Sequence, residues 1–226
     1  MLSVVIPTRD AAAGLGATLA ALGPARESGL VGDVVVADCG STDGTTAIAE
    51  AAGARLVRAA PGRGGQLAAG AAAARGDWLF FLHADTRPGP GWEDAVARFL
   101  AAPGADGRAA VMSLVLDSAR PEARRIERLV AWRTRALGLP YGDQGLILSR
   151  RLYDAVGGFR PLPLMEDVDI VRRIGGTRIE ILDVGALTSA RRYERDGWIL
   201  RPLRNLFCLA LWQLGVPVRL VARLYG

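Results

Sequence analysis

The sequence predicts an α/β fold, a single domain with a mainly parallel, Rossmann-like sheet flanked by helices and followed by C-terminal helices. Three observations carry this. Apolar, β-rich runs recur at residues 2–6, 34–37, 55–57 and 78–82, and the Ala-rich stretches between them read as helices. Half of the 226 residues are apolar and 23% are charged, enough to bury a core in one or at most two domains. Beyond an alanine bias the chain shows neither a repeat period nor a low-complexity tract, which argues against a solenoid.

Composition removes whole classes of chemistry. All 28 basic residues are arginines, so neither a phosphate-loop lysine nor a Schiff base is available. His83 is the single histidine, and Cys39 and Cys208 stand far apart, which excludes a four-cysteine zinc site, a histidine cage and a C-x-x-C redox pair. The net charge of +5 favours anionic partners. Aromatics are only 6% and the arginines are scattered, so the interleaved basic and aromatic pattern of a nucleic-acid binder is missing, and no nucleic-acid partner is expected. The chain opens directly on a strand-like run with no basic leader, so the expected location is cytoplasmic.

A parallel sheet covered by helices binds ligands at the carboxyl ends of its strands, here residues 7–10, 38–44 and 83–85. Asp38 closes a buried strand, a costly position unless the carboxylate meets a ligand or a donor. Ser41, Thr42 and Asp43 suit the N-cap of a helix over residues 45–52. The loop Pro61-Gly62-Arg63-Gly64-Gly65-Gln66 lacks G-x-G-x-x-G spacing, yet Arg63 and Gln66 stand at the start of a helix over 66–75, where backbone donors and a guanidinium favour an anion. The run 78–82 ends in His83-Ala84-Asp85. An aspartate there can hold Mg2+ or Mn2+ together with substrate phosphates, and His83 is a further ligand, a donor to a ribose or a satisfied polar residue.

After about residue 107 the alternation loosens into a strand over 109–116, a helix over 121–137, Gly/Pro-rich loops at 138–145 and 157–163, and a strand over 179–184. This half reads as a substrate-side elaboration. Residues 201–225 are apolar and flanked by arginines, but their longest uncharged stretch has 14 residues and contains Gly215 and Pro217, whereas a bilayer span needs about 20. Two readings follow for it. One is a helix of about three turns plus a short terminal helix packed on the core, the preferred reading because Gly215 and Pro217 break the stretch. The other is an interfacial helix using Trp198, Phe207, Trp212 and Arg201, Arg204, Arg219 and Arg223 at a lipid surface.

Four stretches in order, Val4-Val5-Ile6-Pro7-Thr8-Arg9-Asp10, Asp38-x-Gly40-Ser41-Thr42-Asp43-Gly44-Thr45, Gly70-x-x-x-Ala74-x-Gly76-Asp77 and His83-x-Asp85, resemble the successive motifs of family 2 glycosyltransferases. The resemblance covers about residues 2–195. It implies a GT-A fold and metal-assisted transfer of a sugar, with inversion, from a nucleotide diphosphate sugar to an acceptor hydroxyl. It divides the chain into a domain over 1–195, with a nucleotide-sugar half (1–107) and an acceptor half (108–195), and a C-terminal extension over 196–226.

Matched position by position, Pro7, Thr8 and Asp10 fall on the family's first nucleotide loop, Asp38 on its base-contacting carboxylate and Asp85 on the metal-binding aspartate of D-x-D. His83 replaces the first carboxylate of that motif. Leu67-Ala68-Ala69 stands where the family has Arg-Asn-x-Gly, so Arg63 and Gln66 are expected to supply the missing polar contacts. Gly142-Asp143-Gln144-Gly145 and Met165-Glu166-Asp167-Val168-Asp169 resemble acceptor-side elements, with Asp143, Gln144 and Glu166 on the acceptor side and Asp167 as general base; helix N-terminal acids complementing the dipole are the plain alternative. Arg191 and Arg192 are expected to reach the diphosphate. The donor implied is a UDP-sugar, with GDP-mannose as the alternative, and a lipid-linked acceptor and peripheral membrane contact remain open. Two rival functions are a nucleotidyltransferase, disfavoured by the missing glycine-rich first loop and lysine, and a non-catalytic protein that binds nucleotide sugar or docks at a membrane.

Overall fold

The computed structural model describes residues 1–225. In chain order the elements are β1 (Leu2–Thr8), α1 (Ala12–Ala21), α2 (Gly23–Glu27), β2 (Val31–Asp38), α3 (Thr45–Ala51), β3 (Arg55–Arg58), α4 (Arg63–Ala73), β4 (Trp78–Phe81), β5 (Thr86–Pro88), α5 (Trp92–Ala101), β6 (Ala109–Leu116), α6 (Pro121–Leu137), β7 (Leu146–Ser149), α7 (Arg150–Ala155), α8 (Glu166–Ile174), β8 (Ile179–Thr188), α9 (Arg191–Asp196), α10 (Leu200–Gln213) and α11 (Val218–Tyr225). The strands form one sheet in the order β3-β2-β1-β4-β7-β6-β8-β5.

The unbroken apolar run of β1 marks a strand buried on both faces. Leu2, Val4 and Ile6 enter a core with Leu15 and Leu19 of α1 and Val96 and Phe99 of α5, while Val5 enters the opposite core with Leu67 and Ala71 of α4 and Ile170 and Val171 of α8. β3, β2, β1 and β4 pair in parallel, which sets Thr8 beside Asp38 at one edge. The other half is mixed: β7 runs antiparallel to β4 and β6, β5 antiparallel to β8, and β6 parallel to β8. The parallel character expected from the alternation thus belongs mostly to the first half. The short β5 and β7 are not read as strands from the sequence, β5 because three residues cannot show a period.

One of these helices starts earlier than the sequence suggests, and the C-terminal segment breaks where the sequence places the break. α4 starts at Arg63, earlier than the predicted residue 66, since Gly62 takes φ +123° and the Gly64 amide donates to the Leu162 carbonyl at 3.0 Å. The C-terminal segment breaks at Gly215, with φ +83°, just ahead of Pro217. Cys208, Leu209 and Val221 of its two helices share a buried cluster with Leu164, Met165 and Val168.

Candidate active site

The carboxyl ends of β1, β2 and β4 open into a cleft of about 980 Å³, closed on its far side by the end of β8, by α9 and by the C-terminal helices. Pro7, Thr8, Asp10, Arg63, Gln66, His83, Asp85, Arg191 and Arg192 all line it. Nine of the residues singled out from the sequence therefore meet in one place.

The first two strand ends are locked together by carboxylates. Asp38 is buried and accepts from the Thr8 hydroxyl (2.9 Å), the Gly40 and Ser41 amides (2.9 Å each) and the Ser41 hydroxyl. Burial alone would raise its pKa, but these donors outweigh it and hold the group below the usual carboxylate range. The desolvation that marked Asp38 as unusual is thus met by the protein's own donors. Asp10, at φ +47°, accepts from the Thr42 amide at 2.8 Å and the Thr42 hydroxyl at 3.2 Å, while its own amide donates to Ser41 Oγ at 2.8 Å. Asp43 accepts from the Ala12 and Thr45 amides at 3.0 Å each and from the Thr45 hydroxyl, so it joins α1 to α3 and is held below its ordinary pKa. Ser41 and Thr42 spend their hydroxyls on Asp38 and Asp10 instead of capping α3. Gln66 Nε2 donates to the carbonyls of Thr8 (2.7 Å) and Ala37 (2.9 Å), binding α4 to both strand ends.

At the end of β4, α1 comes unusually close. A Cβ on Gly14 would lie 3.0 Å from the Ala84 carbonyl oxygen and 3.2 Å from Asp85 Cβ, so only glycine lets the helix seat against the Asp85 backbone. The Thr86 and Thr188 hydroxyls bond at 2.9 Å, and the Ser189 amide donates to the Asp85 carbonyl at 3.2 Å. These two contacts fix the end of β8, and with it Arg191 and Arg192, across the cleft from Asp85.

The remaining wall is the 3-10 turn Gly142–Gln144 against the N-terminus of α8. Gly142 passes between two candidate groups: its amide donates to Asp167 Oδ2 at 2.9 Å, and a Cβ there would lie 2.5 Å from His83 Nε2. His83 and Asp167 are therefore near neighbours. The second oxygen of Asp167 accepts from the Val168 amide at 2.8 Å. α8 starts from Met165 in the left-handed region, φ +64°, a conformation that costs a methionine energy and so is held by its surroundings. Glu166 is buried and 3.4 Å from Arg63 Nη1.

Not every acceptor-side candidate reaches the cleft. Gln144 is buried with its side chain fully engaged: Oε1 accepts from Arg133, Thr134 and the Tyr141 amide, and Nε2 donates to the Met112 carbonyl at 3.0 Å. It fixes the turn from within the protein and does not line the cleft. Asp143 lies just behind, with a buried Oδ1 that has no partner among the described residues.

The electrostatics of this wall differ from those of the first two strand ends. Burial raises the pKa of Asp143 to about 6; Arg133 opposes the rise, and Asp167 and Asp85 add to it. Burial, then the Asp167 charge, pushes Glu166 upward against the pull of Arg63. Burial works against the charge on Arg63, but Glu166, Asp167 and Asp85 outweigh it and hold the guanidinium protonated. His83 is driven well below the ordinary histidine range, first by burial and then by Arg63 and Arg192.

A divalent cation fits these residues. Asp85, Asp143 and Asp167 repel one another across the wall, and one buried carboxylate oxygen is orphaned. Among the described residues no three His, Cys, Asp or Glu side chains converge into a cage. That is the arrangement in which Mg2+ or Mn2+ takes one or two protein ligands and completes its shell with phosphate oxygens and water.

Some residues of the site were not foreseen. Gly14 and Gly142 set its close approaches; the signal for Gly14 was a pair of glycines, Gly14 and Gly16, inside an Ala-rich helix. Asn205 and Tyr225, with Arg63 and Tyr141, line a cavity of about 50 Å³ beside Asp167. Nothing near them in the sequence indicates that the C-terminal helices reach Asp167.

Known proteins share this fold. A solved glucosyl-3-phosphoglycerate synthase from Mycobacterium tuberculosis, in complex with Mn2+, UDP and glucosyl-3-phosphoglycerate, superposes with a TM-score of 0.67 at 25% identity, over 96% of this chain and 81% of that one. Mannosyl-3-phosphoglycerate synthase from Rubrobacter xylanophilus shares the fold with a TM-score of 0.64 at 20% identity, over 95% of this chain and 75% of that one. The glucosyl-3-phosphoglycerate synthase of Mycolicibacterium paratuberculosis is 38% identical over 93 residues, which span 37% of this chain and 28% of that relative. The model for glycosyl transferase family 2 matches residues 3–161. Since that match runs from β1 through the cleft to the loop before α8, taking in every strand end that carries a donor-side candidate, the chain belongs to glycosyl transferase family 2.

Proposed function

We propose that this family 2 glycosyltransferase moves a sugar from a UDP-sugar to an acceptor hydroxyl in a single inverting displacement. The observation that carries the reading is the placement of Asp167 beside His83, with Gly142 between them, two residues along the chain from Asp85. One carboxylate can then take the acceptor proton while the neighbouring strand end serves the leaving group.

Asp167 is the general base. Both of its oxygens are oriented by backbone amides, which aims the carboxylate, and it needs only hydrogen-bond reach to the attacking hydroxyl. Asp85, with His83 beside it, would hold Mg2+ or Mn2+, which would supply charge neutralisation for the departing diphosphate. Arg63, Arg191 and Arg192 line the same cleft and bind diphosphate oxygens from its two sides. Pro7, Thr8 and Asp10 lie along the nucleoside end of the cleft, while Asp38 and Gln66 hold that end in shape.

The UDP preference draws on the relatives crystallised with that nucleotide, and GDP-mannose is the donor to test against it. The relatives crystallised with phosphoglyceric acid make a phosphoglycerate-like acceptor the first to test, and a lipid-linked one the alternative. The cytoplasm is the proposed location; among the described residues no helix is long and apolar enough to cross a membrane. The test is transfer from UDP-glucose and GDP-mannose to a panel of acceptors, by the intact protein and by D167N. The expected result is turnover by the intact protein with one donor and its near-abolition in D167N; sugar-nucleotide binding without transfer to any acceptor would instead favour a binding protein.

A further inference from the structure

We propose that the solvent face of α10, with α11 beside it, is an in-plane docking surface for an anionic lipid bilayer. α10 is amphipathic in the unusual sense. Arg201, Arg204 and Asn205 are turned toward the protein: Arg201 and Arg204 both pair with Asp196, and Asn205 lines the small cavity shared with Asp167. Its outward stripe is apolar, with Leu203 56%, Leu206 61%, Phe207 56% and Leu214 82% exposed. The spacing 203, 206/207, 210, 214 keeps these residues on one face of the helix. A surface helix of a freely dissolved protein carries the opposite arrangement, and a contiguous apolar stripe of this kind marks an interaction site.

Charge selects the occupant. Residues 197–226 contain four arginines and no acidic residue. Arg219 and Arg223 are exposed on α11 with Leu220 and Leu224 beside them, which joins basic and apolar groups on one surface. This is the composition that lies in the boundary between headgroups and acyl chains, with apolar side chains immersed and guanidinium groups on phosphate. A second copy of the chain is a poorer occupant, because a two-fold interface would set this acid-free, basic segment against itself. Bilayer docking is also compatible with the packing already described, since Cys208, Leu209 and Val221 occupy the opposite side of the two helices. It does not depend on the transfer reaction.

Sedimentation of the full chain with vesicles tests this, using phosphatidylcholine alone and phosphatidylcholine mixed equally with phosphatidylglycerol. Binding is expected on the mixed vesicles only, weakening as added salt shortens the Debye length. L203E with F207E, at exposed positions, should reduce the partition coefficient about tenfold or more while leaving the thermal midpoint and the shift caused by a sugar nucleotide unchanged. R219E with R223E gives a second variant should the first fail to fold, and it should remove the salt-dependent part of the binding. Absence of the protein from the mixed vesicles, equal partition of a folded variant and the parent, or a dimer in solution that L203E with F207E dissolves would each overturn the proposal.

Discussion

The carboxylates of the two sides of the cleft are held in opposite ways. On the side of β1 and β2, Asp38, Asp10 and Asp43 each accept several hydrogen bonds, and Asp38 and Asp43 are held below their ordinary pKa. On the side of α8, Asp143 has an orphaned oxygen, Glu166 relies on one long contact to Arg63, and both are pushed upward by burial and by their neighbours' charge. A satisfied carboxylate stabilises a loop, whereas groups left in mutual repulsion stabilise whatever positive or proton-bearing partner enters between them. Under the proposed function, the satisfied carboxylates shape the nucleotide end, and the repelling ones border the reacting atoms.

The comparison breaks most visibly at Asp167. D167N keeps the side chain's shape but removes the base, and loss of general-base catalysis costs about 10²–10⁴ in turnover. The thermal shift caused by a sugar nucleotide should survive, since that end of the cleft is untouched. D85A should also abolish turnover, and it should remove the part of the shift that depends on Mn2+, as a chelator does for the parent protein. Full activity in either variant would remove that residue from its assigned role.

On the opposite side the same kind of change should act on stability. D38A leaves the Thr8 and Ser41 hydroxyls and two amides without their acceptor, at a cost of about 3 kcal/mol. For a chain of this size that lowers the thermal midpoint by about 6–12 °C. D167N should move the midpoint by much less. A D38A protein that melts like its parent but cannot bind nucleotide would reverse the division and make Asp38 a direct ligand.

A smaller effect is expected at Gly14. G14A places a methyl group 3.0 Å from the Ala84 carbonyl oxygen and 3.2 Å from Asp85 Cβ, so α1 must shift by a few tenths of an ångström. The expected outcome is a rise in the Mn2+ concentration needed for half-maximal turnover, with little change in the donor KM. A change in donor KM alone would show that α1 positions the nucleotide and not the Asp85 backbone.

The parts of this site that could be read from the sequence are those set by strand ends. Residues that follow an apolar run in a β-α-β series must lie at the carboxyl edge, so Thr8, Asp10, Asp38, His83 and Asp85 could be placed before any coordinates. What pairs with what could not. Whether Asp38 meets a ligand or a donor depends on Ser41 folding back, and the neighbourhood of His83 and Asp167 depends on a turn 59 residues beyond the histidine that only glycine permits. Gln144 shows the same limit from the other side: a polar residue in a motif-like turn proved to be bonded wholly within the core. The reach of α10 and α11 to Asp167 was hidden by long-range packing that leaves no local pattern.

The finest test of the two sides is the sign of their pH dependence. The Asp143 pKa is raised in the folded protein to about 6, above its unfolded value of about 3.9. Between about pH 4 and pH 6 the folded state therefore holds the extra proton, and stability from this group is present in acid and lost as pH rises through the folded value. Asp38 is depressed below the same reference, so its contribution is present above about pH 4 and lost as pH falls through the folded value. Thermal midpoints of D143N and D38N, measured against the parent in chelator, should then diverge in opposite directions. D143N should gain on the parent as pH rises from about 4 to 7, because the parent alone must bury a new charge over that range. D38N should lose least in acid and most at neutral pH. Parallel displacement of both variants at every pH would show that the carboxylates on the two sides of the cleft are held alike.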